Sequence, residues 1–208
     1  MTILVIAPHP DDECIGCGGA ICRHGQRGDR VHVVFLTSGE LGLKELPREQ
    51  AWNIREQEAR EAAKILQLAS VEFLRCPDWT LSDAILLASE RLAPVLRRLA
   101  PELIYLPHPQ EWHPDHKVAL PVVTQALAAN GSAAPRLLGY EVWTPLTEYQ
   151  HVENISDVMD TKLKALGEHR SQLSQLEYVR AVRGLNEFRG AMAGRCRYAE
   201  VFQELAIP

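Results

Sequence analysis

The chain has 208 residues, enough for one domain with a full core and too few for two comfortable ones. Hydrophobic residues make up 46% and charged residues 24%, an ordinary globular composition. A formal net charge of -5 and the lack of any basic stripe exclude a nucleic-acid binder. No window approaches the roughly 18 apolar residues of a membrane span, so no integral membrane segment is expected. The N-terminus runs straight into a strand pattern without a targeting segment, which predicts a cytoplasmic protein. Five cysteines (Cys14, Cys17, Cys22, Cys76 and Cys196) fit reduced thiols there.

In chain order, Ile3–Ala7 is a short, β-branched apolar run that reads as a buried parallel strand. His9-Pro10-Asp11-Asp12-Glu13 follows it directly. Ionisable groups crowded at the end of a buried strand are costly unless something pairs them, and a divalent metal is the simplest partner. A helix is expected from about Cys14 to His24, with Cys14 and Cys17 acting as small packing residues rather than half of a four-cysteine site. Val31–Leu36 is a second strand, and a long amphipathic helix follows from about Pro47 to Gln67. The loop from Ser38 to Leu46, with Gly39 and Gly42, is placed to border a pocket. Val71–Leu74 is a third strand, and Ser82 is placed to cap a helix whose apolar face includes Leu92, Val95 and Leu96.

Leu103–Leu106 is a fourth strand, followed by His108-Pro109-Gln110-Glu111-Trp112-His113-Pro114-Asp115-His116 and a helix from about Asp115 to Ala129. Beyond it the pattern weakens. Leu137–Val142 reads as a strand, Asp157–Leu173 as a helix and Tyr198–Phe202 as a late strand. The alternation predicts an α/β fold of three layers, Rossmann-like, with a mostly parallel sheet and helices on both faces, over a single domain spanning 1–208.

In a doubly wound sheet of order 3-2-1-4, the connections after strands 1 and 4 leave in opposite directions, and ligands bind in the crevice between them. The two clusters should therefore face each other. Two imidazoles and one carboxylate suit zinc and leave a fourth position open for water, while a second carboxylate is free to act as general base. Adjacent Asp11 and Asp12 can divide that labour. Taken singly, Asp115 reads equally as a helix N-cap, and Asp12 and Glu13 as offsets to a helix dipole. His24, His32, His151 and His169 read as structural. Gly16-Cys17-Gly18-Gly19 resembles a dinucleotide-binding turn. Ile21 occupies the third glycine position, however, and the preceding carboxylates would repel a pyrophosphate.

The signatures Pro8-His9-Pro10-Asp11-Asp12-Glu13 and His113-Pro114-Asp115-His116 resemble those of the LmbE-like, or PIG-L, family of zinc N-acetylglucosaminyl deacetylases. The similarity extends through Thr37–Glu40, Arg55–Ala59, Cys76–Asp78, Tyr140–Trp143, Lys162–Leu166 with His169, and Tyr198–Phe202. The resemblance implies a Zn2+ enzyme that deacetylates an amino-sugar amide. His9, Asp12 and His116 would hold the metal and Asp11 would be the general base. His113 would stabilise the oxyanion and protonate the amine, with Asp115 orienting its ring. Arg55 sits on the apolar stripe of its helix, so it either meets a buried carboxylate or lines the cleft as a substrate fork; Asp78 is a second candidate for a sugar hydroxyl. The rival readings are an amidase for a larger acyl group on a thiol or sugar conjugate, and a non-catalytic metal- or nucleotide-binding module. A homo-oligomer is compatible with all of them.

Overall fold

The computed structural model describes residues 1–129 and 134–207. Its seven strands are β1 (Thr2–Ala7), β2 (Arg30–Thr37), β3 (Ser70–Cys76), β4 (Leu103–Pro107), β5 (Arg136–Tyr140), β6 (His151–Asn154) and β7 (Ala199–Leu205). They form one sheet of order β3-β2-β1-β4-β5-β7-β6. The pairings from β3 to β5 are parallel, whereas β7 runs antiparallel to both β5 and β6. The fold is thus mixed α/β, and the parallel expectation holds for the five adjacent strands from β3 to β5 but not for β7 and β6. Strand β6 was not anticipated.

Alternation along β1 shows why the sheet is covered twice. Ile3, Val5 and Ala7 enter one apolar core with helices α1 (Asp12–Gln26) and α2 (Arg48–Leu66). Leu4 and Ile6 enter a second core with α3 (Ile85–Leu99). Successive strand side chains point to opposite faces, so a run buried at every position needs helices on both. The helix expected from Asp115 is split into α4 (Pro114–Lys117) and α5 (Ala119–Ala128). Pro121 has no N–H for the carbonyl of Lys117 and its ring crowds that carbonyl, which ends the first piece. The helix expected from Asp157 to Leu173 is likewise two pieces, α6 (Met159–Leu166) and α7 (Arg170–Leu173), and a further helix, α8 (Tyr178–Arg189), follows. Among the described residues, no helix is long and apolar enough to cross a membrane.

Two features fix α1 against the sheet. A Cβ on Gly16 would lie 2.1 Å from Cδ2 of Tyr140, whose hydroxyl donates to the Ile6 carbonyl, so only glycine permits this approach. Cys17 has non-helical angles and breaks the helix into two segments. The Gly19 and Ala20 N–H groups near that break are capped by Glu200 of β7 at 2.8 and 2.7 Å, and Lys162 neutralises that buried carboxylate at 2.7 Å.

Candidate active site

Strand β1 lies between β2 and β4, so the segments leaving β1 and β4 border one crevice. His9, Asp11 and Asp12 come from the first segment and His113, Asp115 and His116 from the second. Three atoms converge there: Nδ1 of His9, Oδ2 of Asp12 and Nε2 of His116, each 3.2 Å from the other two. A tetrahedral zinc site with bonds of about 2.0–2.1 Å has ligand–ligand edges of about 3.3–3.4 Å. The triangle therefore has the dimensions of a ligand set.

The outer nitrogens of both imidazoles face carboxylates. Nε2 of His9 lies 3.2 Å from Oδ2 of Asp115 and 3.2 Å from Oδ1 of Asp78. Nδ1 of His116 lies 3.6 Å from Oε2 of Glu111. A carboxylate behind an imidazole fixes the tautomer, leaving the inner nitrogen's lone pair for a metal. Burial disfavours charge on both rings, but the surrounding carboxylates outweigh it. Asp115, Asp12 and Asp78 hold His9 well above the ordinary imidazole range, and Asp12 and Glu111 raise His116. Facing lone pairs need a positive charge between them, and without a metal ion protons supply it.

Asp11 sits beside the triangle with φ 131° and ψ -28°, a backbone that non-glycine residues rarely adopt. Such strain costs about 1–3 kcal/mol and persists only when neighbours over-determine it. Here they do. The Asp11 N–H donates to Oε2 of Glu13 at 3.0 Å, and its carbonyl accepts from the N–H groups of Cys14 and Ile15. Arg55 donates from Nη2 to the Pro10 carbonyl at 2.5 Å and to Oδ2 of Asp11 at 3.1 Å, and from Nη1 to the Gly39 carbonyl at 2.7 Å. Burial pushes the Asp11 carboxyl up, Arg55 pulls it down and Asp12 pushes it up again, for a value of about 6. Glu13 in turn faces the fully buried His169, with Oε1 3.3 Å from Nε2.

His113 caps α4, its Nδ1 accepting the Asp115 N–H at 3.2 Å. An accepting Nδ1 puts the proton of the neutral ring on Nε2. Burial, reinforced by positive charge on His9 and His116, lowers this imidazole to about 4, so it is neutral at pH 7 and still a donor. The main chain of Asp115, not its carboxylate, orients the ring. That carboxylate is occupied by His9 and by the N–H groups of Trp79 (2.7 Å) and Leu81 (3.1 Å). The bond to Leu81 also pins the turn before α3, where the expected Ser82 cap does not form.

The structure thus brings together all eight candidate residues, but distributes them differently from a simple list. Arg55 meets a buried carboxylate and also lines the cleft, because its partner is Asp11 itself. Asp78 lines the cleft as well, yet its Oδ2 accepts the Leu41 N–H at 2.8 Å while Oδ1 faces His9. Sequence reasoning gave no role to Glu111 and treated His169 as structural. Glu111 stood inside the second cluster, but nothing local says that it points back at His116. Leu41 and Gly42, from the loop expected to border a pocket, do line this cavity of about 350 Å³.

A mixed α/β sheet with a His/Asp/His triangle and an adjacent carboxylate at its central crevice is the arrangement of a metal-dependent enzyme. The family model described as "PIG-L: GlcNAc-PI de-N-acetylase" matches residues 4–127, and the chain belongs to that family. It is 30% identical to diacetylchitobiose deacetylase of Thermococcus kodakarensis, covering 95% of this chain and 80% of that one. It is 29% identical to a probable N-acetyl-alpha-D-glucosaminyl L-malate deacetylase 2 of Bacillus cereus, over 82% of this chain and 83% of that one. The crystal structure of a 4-carboxy-2-hydroxymuconate hydratase from Pseudomonas putida superposes with a TM-score of 0.85 at 26% identity, covering 99% of this chain and 96% of that one.

Proposed function

We propose that residues 1–208 form a single Rossmann-like, cytoplasmic zinc hydrolase domain that removes the acetyl group from an N-acetylglucosamine-type amide. The observation that carries this reading is the 3.2 Å triangle of His9, Asp12 and His116 beside a carboxylate that does not belong to it. Zinc held by these three residues would polarise the amide carbonyl and lower the pKa of a water to about 7. Five free cysteines fit a reducing compartment.

The chain's own residues supply the rest. Asp11 has Oδ2 fixed by Arg55, which leaves Oδ1 to take the proton of the attacking water. The neutral His113 donates from Nε2 to the oxygen that becomes negative as the carbonyl turns tetrahedral, a contribution worth about 10²–10³ in rate in comparable sites. The proton that Asp11 has taken from the water then passes to the departing amine, because giving up the single proton of the neutral His113 would leave an imidazolate. Asp115 and Glu111 hold His9 and His116 in the tautomers that keep their inner lone pairs free.

Hydration of a polycarboxylate, as the name of the Pseudomonas relative describes, suits this cavity poorly. Among the described residues lining it, Arg55 is the one guanidinium or ammonium, and Asp11 and two carbonyls already engage it. The test is acetate release from a panel of N-acetylglucosaminides with zinc supplied. Asp11→Asn should keep the metal and lose about 10²–10⁴ in turnover, the usual contribution of a general base. No acetate from any member of the panel, or an unchanged rate in the variant, sinks the reading.

A further inference from the structure

Three indoles and a phenol at the cavity mouth have no part in the chemistry above. Ring centroids lie 4.5 Å apart for Trp79 and His113, 5.6 Å for Trp112 and His113, 6.2 Å for Trp112 and Trp143, and 5.2 Å for Trp143 and Tyr178. All four residues line the cavity, so they form an arc leading outward from His113. Trp79, Trp112 and Trp143 remain 48%, 54% and 36% exposed. Three half-exposed indoles side by side make an apolar patch of the kind that marks a binding surface.

The arc is built into the site. The main-chain N–H of Trp79 donates to Oδ2 of Asp115 at 2.7 Å and that of Trp143 to Oε1 of Glu111 at 3.0 Å. These are the two carboxylates that stand behind His9 and His116. The main-chain N–H of Trp112 donates to Oγ1 of Thr144 at 3.1 Å. Trp79 holds a left-handed backbone, φ 65°, which is unusual for a bulky residue. The collar therefore keeps a fixed position relative to the donor triangle.

Charge narrows what the collar can hold. Arg55 is committed to Asp11 and two carbonyls, so among the described residues of this wall no free cation meets a carboxylate or phosphate. Gln172 and Gln175 line the same cavity and offer amides suited to hydroxyl groups. A neighbouring cavity of about 480 Å³ does contain Lys44, Arg48 and Arg75. Its two guanidinium groups stack on Trp52, and Arg75 is paired with Glu56. Indole faces carry the negative side of a quadrupole and suit the weakly positive C–H hydrogens of a flat pyranose face.

We propose that Trp112 and Trp143 form a subsite for an uncharged second sugar ring, which stacks there when the acetamide of its neighbour reaches the donor triangle. This rests on the deacetylase reading, so binding and turnover are measured separately. Zinc-loaded Asp11→Asn protein is titrated with N,N'-diacetylchitobiose and with N-acetylglucosamine while indole fluorescence is followed. Three of the four tryptophans lie in the collar. The disaccharide should bind at least tenfold more tightly than the monosaccharide. Adding Trp112→Ala or Trp143→Ala should remove that preference, and Trp112→Phe should restore most of it. In the otherwise native enzyme the two alanine variants should raise KM for the disaccharide about tenfold, with the loss concentrated in KM rather than kcat.

Equal affinity for the two sugars, or an alanine penalty as large on the monosaccharide, overturns the subsite. So does tighter binding of an N-acetylglucosaminyl malate, which would point to the basic cavity. Sedimentation showing a dimer that Trp112→Ala dissociates overturns it too, because the collar would then be a subunit contact. Preferential disaccharide binding without acetate release supports the subsite and sinks the deacetylase reading.

Discussion

Replacing Arg55 with Gln separates a residue that grips substrate from one that tunes the base. Glutamine retains a donor for the Pro10 or Gly39 carbonyl but removes the positive charge 3.1 Å from Asp11. That charge holds the Asp11 carboxyl down against burial and against Asp12, leaving it at about 6. A neighbouring arginine typically lowers a carboxyl by about 1–3 pH units, so its loss should move the acid limb up by that amount. The sign follows from the role: a base must be ionised, so raising its pKa removes active enzyme at low pH and spares it at high pH. At pH 7 the ionised fraction would fall from about nine-tenths to between about one-half and one-hundredth.

The assay is kcat/KM from pH 5 to 9.5 for wild type and Arg55→Gln. A bound cation lowers both limbs together, so the separation between the two curves is the quantity to read. Superimposable acid limbs with a raised KM at every pH would refute the reasoning and make Arg55 a substrate ligand. A lowered melting temperature is expected besides, since removing one partner of a buried pair costs up to about 3–5 kcal/mol. Protonation of Asp11 limits that cost, so the melting point alone does not discriminate.

Glu111→Gln should weaken metal affinity by about 10–100-fold, measured by competition with a chelator, because Glu111 stands behind His116. Unchanged affinity would reduce it to an anchor for the N–H groups of Val142, Trp143 and Thr144. Glu13→Gln should retain bound metal yet lower kcat by about 10²-fold, the scale of loss from a base displaced by about 1 Å. Full turnover in a metal-loaded Glu13→Gln protein would show that the strained Asp11 backbone does not depend on this carboxylate.

What the sequence revealed and what it hid follow from locality. Runs at Ile3–Ala7, Val31–Leu36 and Leu103–Leu106 are buried strands because, His32 apart, they are apolar at every position, a property visible within each window. The two polar clusters are legible because they sit at strand ends, and strand order alone brings them together. Roles that depend on which way a carboxylate points are not legible. Asp115 precedes His116, yet its carboxylate serves His9, 106 positions away. Glu13 pairs with His169 across 156 positions. Among the described residues, strand β6 pairs with the antiparallel β7 alone, outside the alternating pattern. The aromatic collar draws on Trp79, Trp112, Trp143 and Tyr178, which lie far apart in the sequence and meet at the crevice they reach.

The proton inventory of the triangle leads to a further prediction about metal uptake. In the metal-free protein, carboxylates raise His9 and His116, so below their titration each ring carries a proton. Both protons must leave before Nδ1 of His9 and Nε2 of His116 can act as ligands. A divalent cation replaces the two positive charges that depart, and the charge balance with Asp12, Asp115, Asp78 and Glu111 is preserved. Apparent metal affinity should therefore fall by up to about 100-fold for each unit the pH drops below that titration, the slope of a two-proton exchange. Chelator competition at several pH values, with proton release followed in weakly buffered solution, measures both quantities. A one-proton slope would mean that one ring already holds its lone pair free in the empty site. A flat profile would mean that these two imidazoles are not the ligands, and the triangle would lose its claim to the metal.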